Sequence, residues 1–339
     1  MRIYGSEVTG SLRVKGDVFA ENYIVKTTVS TITQSFSSGS TIFGDSVDDT
    51  HQFTGSLKVS GSTRLEGEVV SYGASGTTNN TNLIIGYEAG ENITTANYNT
   101  LYGYRAGRDI IDESNNVAIG ASTLTSLNNS THGSNVAVGV STLTSATNVS
   151  RTVAIGHEAQ KSNIEGNYNV AVGYRALNKN TAGDHNVAVG YTALNNYGGS
   201  NNVAVGNYAG VIVNQGGFTG IGHEAGYYSS GSTNTFIGHQ VGRGTSVAPH
   251  STGASNTGLG YEALLVLTSG AGNTAIGYQA GDSITTSGYN ALLGYQAGAA
   301  LAGGSGQNVA IGHQPLYNGT SNTRVIAIGT RAGYNSTAD

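Results

Sequence analysis

The sequence predicts an all-β chain: a repetitive parallel β-roll, or β-solenoid, of about 15 coils of ~17 residues, behind a short adaptor. Three observations carry this expectation. A glycine closes a Val-Ala-Val/Ile unit again and again, at Gly86, Gly103, Gly120, Gly139, Gly156, Gly173, Gly190, Gly206, Gly222, Gly238, Gly260, Gly277, Gly294, Gly312 and Gly329. The spacing between these anchors runs from 16 to 22 residues and is most often 17, shorter than the period of helical repeats. In 11 of 15 units the middle of the three residues before the anchor is Ala or Gly between larger neighbours, which is the period of a strand.

Each slot of the repeat has its own chemistry. Four residues before the anchor, 12 of 15 units carry Asn, as at Asn116, Asn169 and Asn273. One residue before it, 14 of 15 carry Ile, Leu or Val, with Tyr102 the exception. Two before it, 9 of 15 carry Ala and two carry Gly. A strand face of such small residues suggests that another backbone comes close. The bulky face is therefore expected to fill each coil's own thin core, with Val187 and Val189 inside. The small face, with Ala188, is expected to pack against a second chain. A slender coil gains most from association, so the expected assembly is a homotrimer, intertwined or side by side.

After the anchor comes Tyr or His in 11 units: Tyr87, Tyr104, Tyr174, Tyr191, Tyr261, Tyr278 and Tyr295, with His157, His223, His239 and His313. Then "xAG" or "xAL" follows as a second short segment. In stacked coils, equal slots lie about 4.8 Å apart, so Asn is expected over Asn and ring over ring. His in a mainly Tyr slot reads as an interchangeable ladder member; the competing reading is three His about a trimer axis holding an ion. Glu88, Glu158, Glu224 and Glu262, two after the anchor, share their slot with Arg175 and Gln279 and read as solvated surface. The longest interval holds "RGTSVAPHSTGAS" (243–255), a candidate loop for partners.

Residues 1–80 differ in character and are read as an adaptor, with 81–339 as the shaft. "TGSLRVKG" (9–16) and "TGSLKVSG" (54–61) are strands between glycine turns. Between them Val25, Val29, Ile32 and Phe36 make a short a/d seam, so 22–37 is a short coiled coil or a strand. The nearest thing to a metal cluster is Asp45, Asp48, Asp49 and His51 in "GDSVDDTH". It lacks the spacing of a calcium loop and reads better as a polar turn.

Composition narrows the function. Charged residues are 10% of the chain and the net charge is −5, which gives no basic face for nucleic acid. The 52 glycines without a three-residue period, and only 2 prolines, exclude collagen. With no cysteine there is no disulfide framework and no thiolate chemistry. "MRIYGSEVTGSLRVKGD" has no apolar signal core, and Ala263–Leu267, the longest strongly apolar run, is far too short to span a bilayer. No nucleophile elbow, P-loop or zinc signature occurs, and acids are sparse, so no catalytic residue and no cofactor are expected.

The units "NVAIG", "NVAVGYRAL" and "NTAIGYQAG" over about 82–333 resemble the head repeats of trimeric autotransporter adhesins and haemagglutinins. They are more similar still to the longer variants in bacteriophage tail fibres and other virion fibres. The resemblance implies a trimeric left-handed parallel β-roll in which the Val/Ile, Ala and Gly positions pack and do not catalyse. The unit of about 17 residues is longer than the adhesin one, and the chain shows no secretion signal or membrane barrel. These three departures favour a virion fibre, assembled in the host cytoplasm and carried on the particle exterior. The expected partners are two more copies of the chain, other virion proteins through 1–80, and a host-surface glycan or protein. Alternatives are a bacterial surface adhesin or filament subunit, and a glycan-degrading tail spike.

Overall fold

A computed structural model describes residues 81–128, 133–196, 199–247, 250–304 and 306–336. The adaptor readings, including 9–16, 22–37, 54–61 and the Asp45, Asp48, Asp49 and His51 cluster, lie outside the described residues.

Fifteen strands run from β1 (Leu83–Ile85) to β15 (Ile326–Ile328), one per coil, numbered in chain order. Each pairs in parallel only with its sequence neighbours, so the whole forms one 15-stranded sheet in the order β1 to β15. Register follows the repeat: Val170, Ala171 and Val172 of β6 (Val170–Val172) lie beside Val187, Ala188 and Val189 of β7 (Val187–Val189). At about 4.8 Å per step, fourteen steps make a sheet about 67 Å long. The β-solenoid expected from the repeat is the fold of the described residues.

The second segment of each coil is not extended. Positive φ recurs at the second and fourth residues after each anchor, as at Arg175 (52°) and Leu177 (54°), or Gln279 (50°) and Gly281 (59°). Alternating left-handed residues wind the chain back in successive turns, so each coil spends only three to five residues on a strand. Non-glycine residues in this conformation are uncommon. Here the bonds of the neighbouring coils hold them: Arg175 N–H donates to His157 O at 3.0 Å, and Leu177 N–H to Ala193 O at 2.9 Å.

The anchor glycines are obligatory for a different reason. Their φ lies between 118° and 139°, and a Cβ at Gly139 would sit 2.6 Å from the carbonyl oxygen of Gly156 in the next coil. The close backbone approach thus falls at the anchor glycines, from coil to coil at the corner, whereas the sequence suggested it for the Ala slot two residues earlier.

The two strand faces are the reverse of the expectation. Ala118, Ala137, Ala154, Ala171, Ala188 and Ala204 are fully buried inside the coil. Their neighbours Val187 and Val189 are only half-buried, and Ile85, Ile119, Ile155, Ile221, Leu259, Leu293 and Ile328 are exposed on the outer face. The physical reason is room. The returning turns pass close beneath the sheet and bring their own large side chains, Leu124, Leu143, Leu177 and Leu194 among them, into the interior. Only a methyl group fits opposite them.

Buried beside this core, the Asn column ties coil to coil. Asn99 N–H donates to Asn82 Oδ1 at 2.8 Å, and Asn116 N–H to Asn99 Oδ1 at 2.8 Å. Most amide nitrogens also close their own or the next turn, as Asn273 Nδ2 does on Ser287 O at 2.9 Å, while Asn186 Nδ2 is buried with no partner among the described residues. Buried polar groups are affordable only when bonded in this way. The column is broken at Thr152, Phe218 and Val325, whose N–H groups still donate to the Asn before them.

Candidate functional site

Three surfaces along the shaft have regular chemistry. The first is the outer face of the sheet. Its two rows, such as Val153, Val170, Val187 and Val203 beside Ile155, Val172, Val189 and Val205, contain Val, Ile, Leu, Thr, Ala and Tyr across all fifteen strands, and no charged residue. Ile85 is 48% exposed, Leu293 48% and Ile328 64%. Strand pairing generates this strip directly: with every register in step, each repeat adds the same two side chains to the same face.

The second surface is the aromatic column after the anchor. His223, His239, Tyr261, Tyr278, Tyr295 and His313 stack in an unbroken run with centroids 5.0–5.2 Å apart and planes within 11°. His157, Tyr174 and Tyr191 form a second run at 5.5 and 5.0 Å. Ala121, Val140 and Asn207 interrupt the column. The four His thus stand as ladder members. Among the described residues, no group of three His, Cys, Asp or Glu is placed to hold a metal ion. Stacking also turns ring faces toward one another, so the column shows solvent mostly ring edges and hydroxyls.

The third surface is the charged and amide column two after the anchor. It is more organised than the solvated surface expected. Arg105 Nε meets Glu88 Oε2 at 2.5 Å, Arg175 Nε meets Glu158 Oε2 at 2.5 Å, and Arg243 Nε meets Glu224 Oε2 at 2.7 Å. The first two pairs join adjacent coils through this slot. Toward the C-terminal end an amide chain takes over: Gln279 donates to Glu262 at 2.8 Å, Gln296 to Gln279 at 3.0 Å, and Gln314 to Gln296 at 2.9 Å. Lys161 and Arg175 together hold the Glu158 carboxyl down to about 2. The signal for this pairing, Glu one unit before Arg at 88/105 and 158/175, was visible in the repeat alignment.

The described residues of the long interval at 243–255 are largely tied to neighbouring coils. Ser251 N–H donates to Tyr228 O at 3.0 Å, Thr252 N–H to Thr268 O at 2.7 Å, and His250 stacks on Tyr228 at 5.6 Å. Val247, 74% exposed, is its most projecting large side chain among the described residues.

No helix among the described residues is long and apolar enough to cross a membrane. Comparison with family models, curated proteins and solved structures finds no match for this chain.

Proposed function

We propose that the chain is a non-enzymatic structural fibre protein of a bacteriophage virion, a homotrimer in which the β-solenoid is a spacer and residues 1–80 make the attachment. The observation that carries the trimer is the uncharged outer face of the sheet. A strip about 67 Å long and about 10 Å wide covers roughly 700 Å², more than the largest apolar patch of most monomers. That is close to the ~800 Å² each partner contributes to a standard interface. The interface of this reading is therefore the Val/Ile face, not the Ala face. The virion assignment is supported by the resemblance of the repeats and by their period of about 17 residues.

Native mass measurement tests the assembly. The expected result is a mass three times that of the chain, and a stable monomer overturns the trimer. Ile155→Lys with Val189→Lys places two ammonium groups on the strip and leaves the coil interior untouched. Loss of the trimer with an unchanged β-sheet spectrum is expected. A trimer that persists in the double variant moves the interface elsewhere. Immunogold labelling of phage particles tests the virion part: label on appendages supports it, and label on bacterial surfaces alone favours the adhesin reading.

A further inference from the structure

The coils of β5 (Val153–Ile155), β6 and β7 carry a cleft of about 390 Å³ lined by Glu158, Lys161, Ser162, Arg175, Asn178, Lys179 and Asn195. It lies on the turns that follow the strands, away from the outer sheet face. Its size falls within the range of ligand pockets. Elsewhere in the charged column one cation meets one carboxylate, as at Arg105 and Glu88. Here two cations, Lys161 and Arg175, share a single carboxylate, and Lys179 lines the same cleft without pairing to it.

The carboxylate sits deep and the cations stand at the rim. The Glu158 side chain is 14% exposed, against 46% for Arg175 and 42% for Lys161. Glu158 accepts from Lys161 Nζ at 2.7 Å and from Arg175 Nε at 2.5 Å. Arg175 also lies over the Tyr174 ring, 5.1 Å from its centroid. The guanidinium is thus held from two sides through Nε and its plane, and its two terminal nitrogens make no other bond among the described residues. Lys179 has no ion-pair partner among the described residues, and its backbone N–H is fixed on Asn195 O at 3.0 Å. Asn178 Nδ2 is occupied by Glu158 O at 2.7 Å, while Asn195 Oδ1 has no donor.

A pre-set guanidinium fork and an unpaired ammonium suit a carboxylate. The hydroxyl of Ser162, also in the lining, suits a hydroxyl of the same ligand. An acidic sugar unit carries both on one ring. We propose that this cleft binds an acidic saccharide, a sugar unit bearing a carboxylate, in a surface polysaccharide. The inference gives a chemical class to the host-surface glycan of the fibre reading and rests on that reading only for where the glycan is met; the cleft itself stands on its residues.

Calorimetry of the full chain with an oligogalacturonate, and with a neutral oligosaccharide of equal length, tests it. Binding of the oligouronate alone is expected. Lys179→Gln removes a side chain with no folding partner and should weaken binding about tenfold, the equivalent of about 1.4 kcal/mol. Lys161→Gln with Lys179→Gln should weaken it further. Equal binding of the neutral oligosaccharide overturns the proposal, as does unchanged affinity in the double variant with its β-sheet spectrum intact. Displacement of the oligouronate by inorganic phosphate, beyond the effect of an equal ionic strength of chloride, overturns the saccharide part. The mass of each sample, measured alongside, separates a failed cleft from a failed trimer.

Discussion

Two stretches of the shaft fill the same thin core in different ways. From β3 (Val117–Ile119) to β7, four of five coils put Ala on the strand and Leu on the returning turn, as in Ala118 with Leu124, Ala137 with Leu143, Ala171 with Leu177 and Ala188 with Leu194. From β9 (Thr219–Ile221) to β10 (Thr235–His239), the large side chains are Phe218 and Phe236, edge to face at 6.2 Å. There the turn residue becomes Gly226 or Gly242, and the strand residue beside Phe218 becomes Gly220. A Cβ at Gly220 or Gly226 would lie 2.5 Å from the Phe218 ring. The exceptions to the repeat are thus compensated. A large side chain in one slot meets a glycine in another, within a coil or in the next one. Leu101 with Gly107 and Leu292 with Gly298 follow the same exchange.

Breaking the exchange at its largest member should cost most. Phe218→Ala empties a fully buried ring position, and a loss of about 3–5 kcal/mol in denaturation is expected. Gly220→Ala does the opposite and forces a methyl against the ring, for about 1–3 kcal/mol. The double variant is the sharper measurement. With the ring gone, the methyl at 220 fills part of the space, so the two losses should fall well short of additive. Additive losses would mean that the slots do not share one volume.

The register, the strand positions and the Asn and Tyr/His columns were legible in the sequence because a parallel stack converts equal slots into contacts. The direction of the strand was not. Alternation at Val187, Ala188 and Val189 says only that the faces differ; it does not say which is inside. The missing information lay in the slot four after the anchor, where Gly or Leu stands in 14 of 15 coils. Leu there belongs to the interior, and its partner on the strand must then be small. Had Leu124, Leu143 and Leu177 been matched with Ala118, Ala137 and Ala171, the inward face would have followed. The cleft at Lys161, Arg175 and Lys179 was out of reach for another reason. These residues are 14 and 4 apart and occupy different slots, so only the winding of the turns gathers them.

Polar interior groups extend the contrast. Asn273 accepts from the N–H and the amide of Asn290, at 3.0 and 2.8 Å, and gives its own amide hydrogens to Asn256 and Ser287. Asn273→Ala takes the acceptor from the buried N–H of Asn290 and the amide donor from Ser287 O, while Asn256 Oδ1 keeps the backbone N–H of residue 273. A loss of about 1–3 kcal/mol is expected, read by denaturation. The column already tolerates Phe218, but that ring brings core volume with it, which Ala does not.

Asp282 contrasts with the largely bonded Asn column, in which Asn186 Nδ2 alone is buried without a partner among the described residues. Its Oδ1 is buried with no bonding partner among the described residues, and burial raises its carboxyl to about 6. The sign of the effect follows from proton binding. In the unfolded chain the group titrates near 3.8, so between about 4 and 6 the folded state holds the extra proton. Stability contributed by this site therefore falls as pH rises through that window and stays low above it. Asp282→Asn keeps the shape and removes the charge. A higher melting temperature for the variant at pH 7 is expected, with the gain shrinking steadily toward pH 4. Half of the site remains open to water, so the gain should be the smallest of the effects described. A gain independent of pH would place its origin in hydrogen bonding and not in the buried charge.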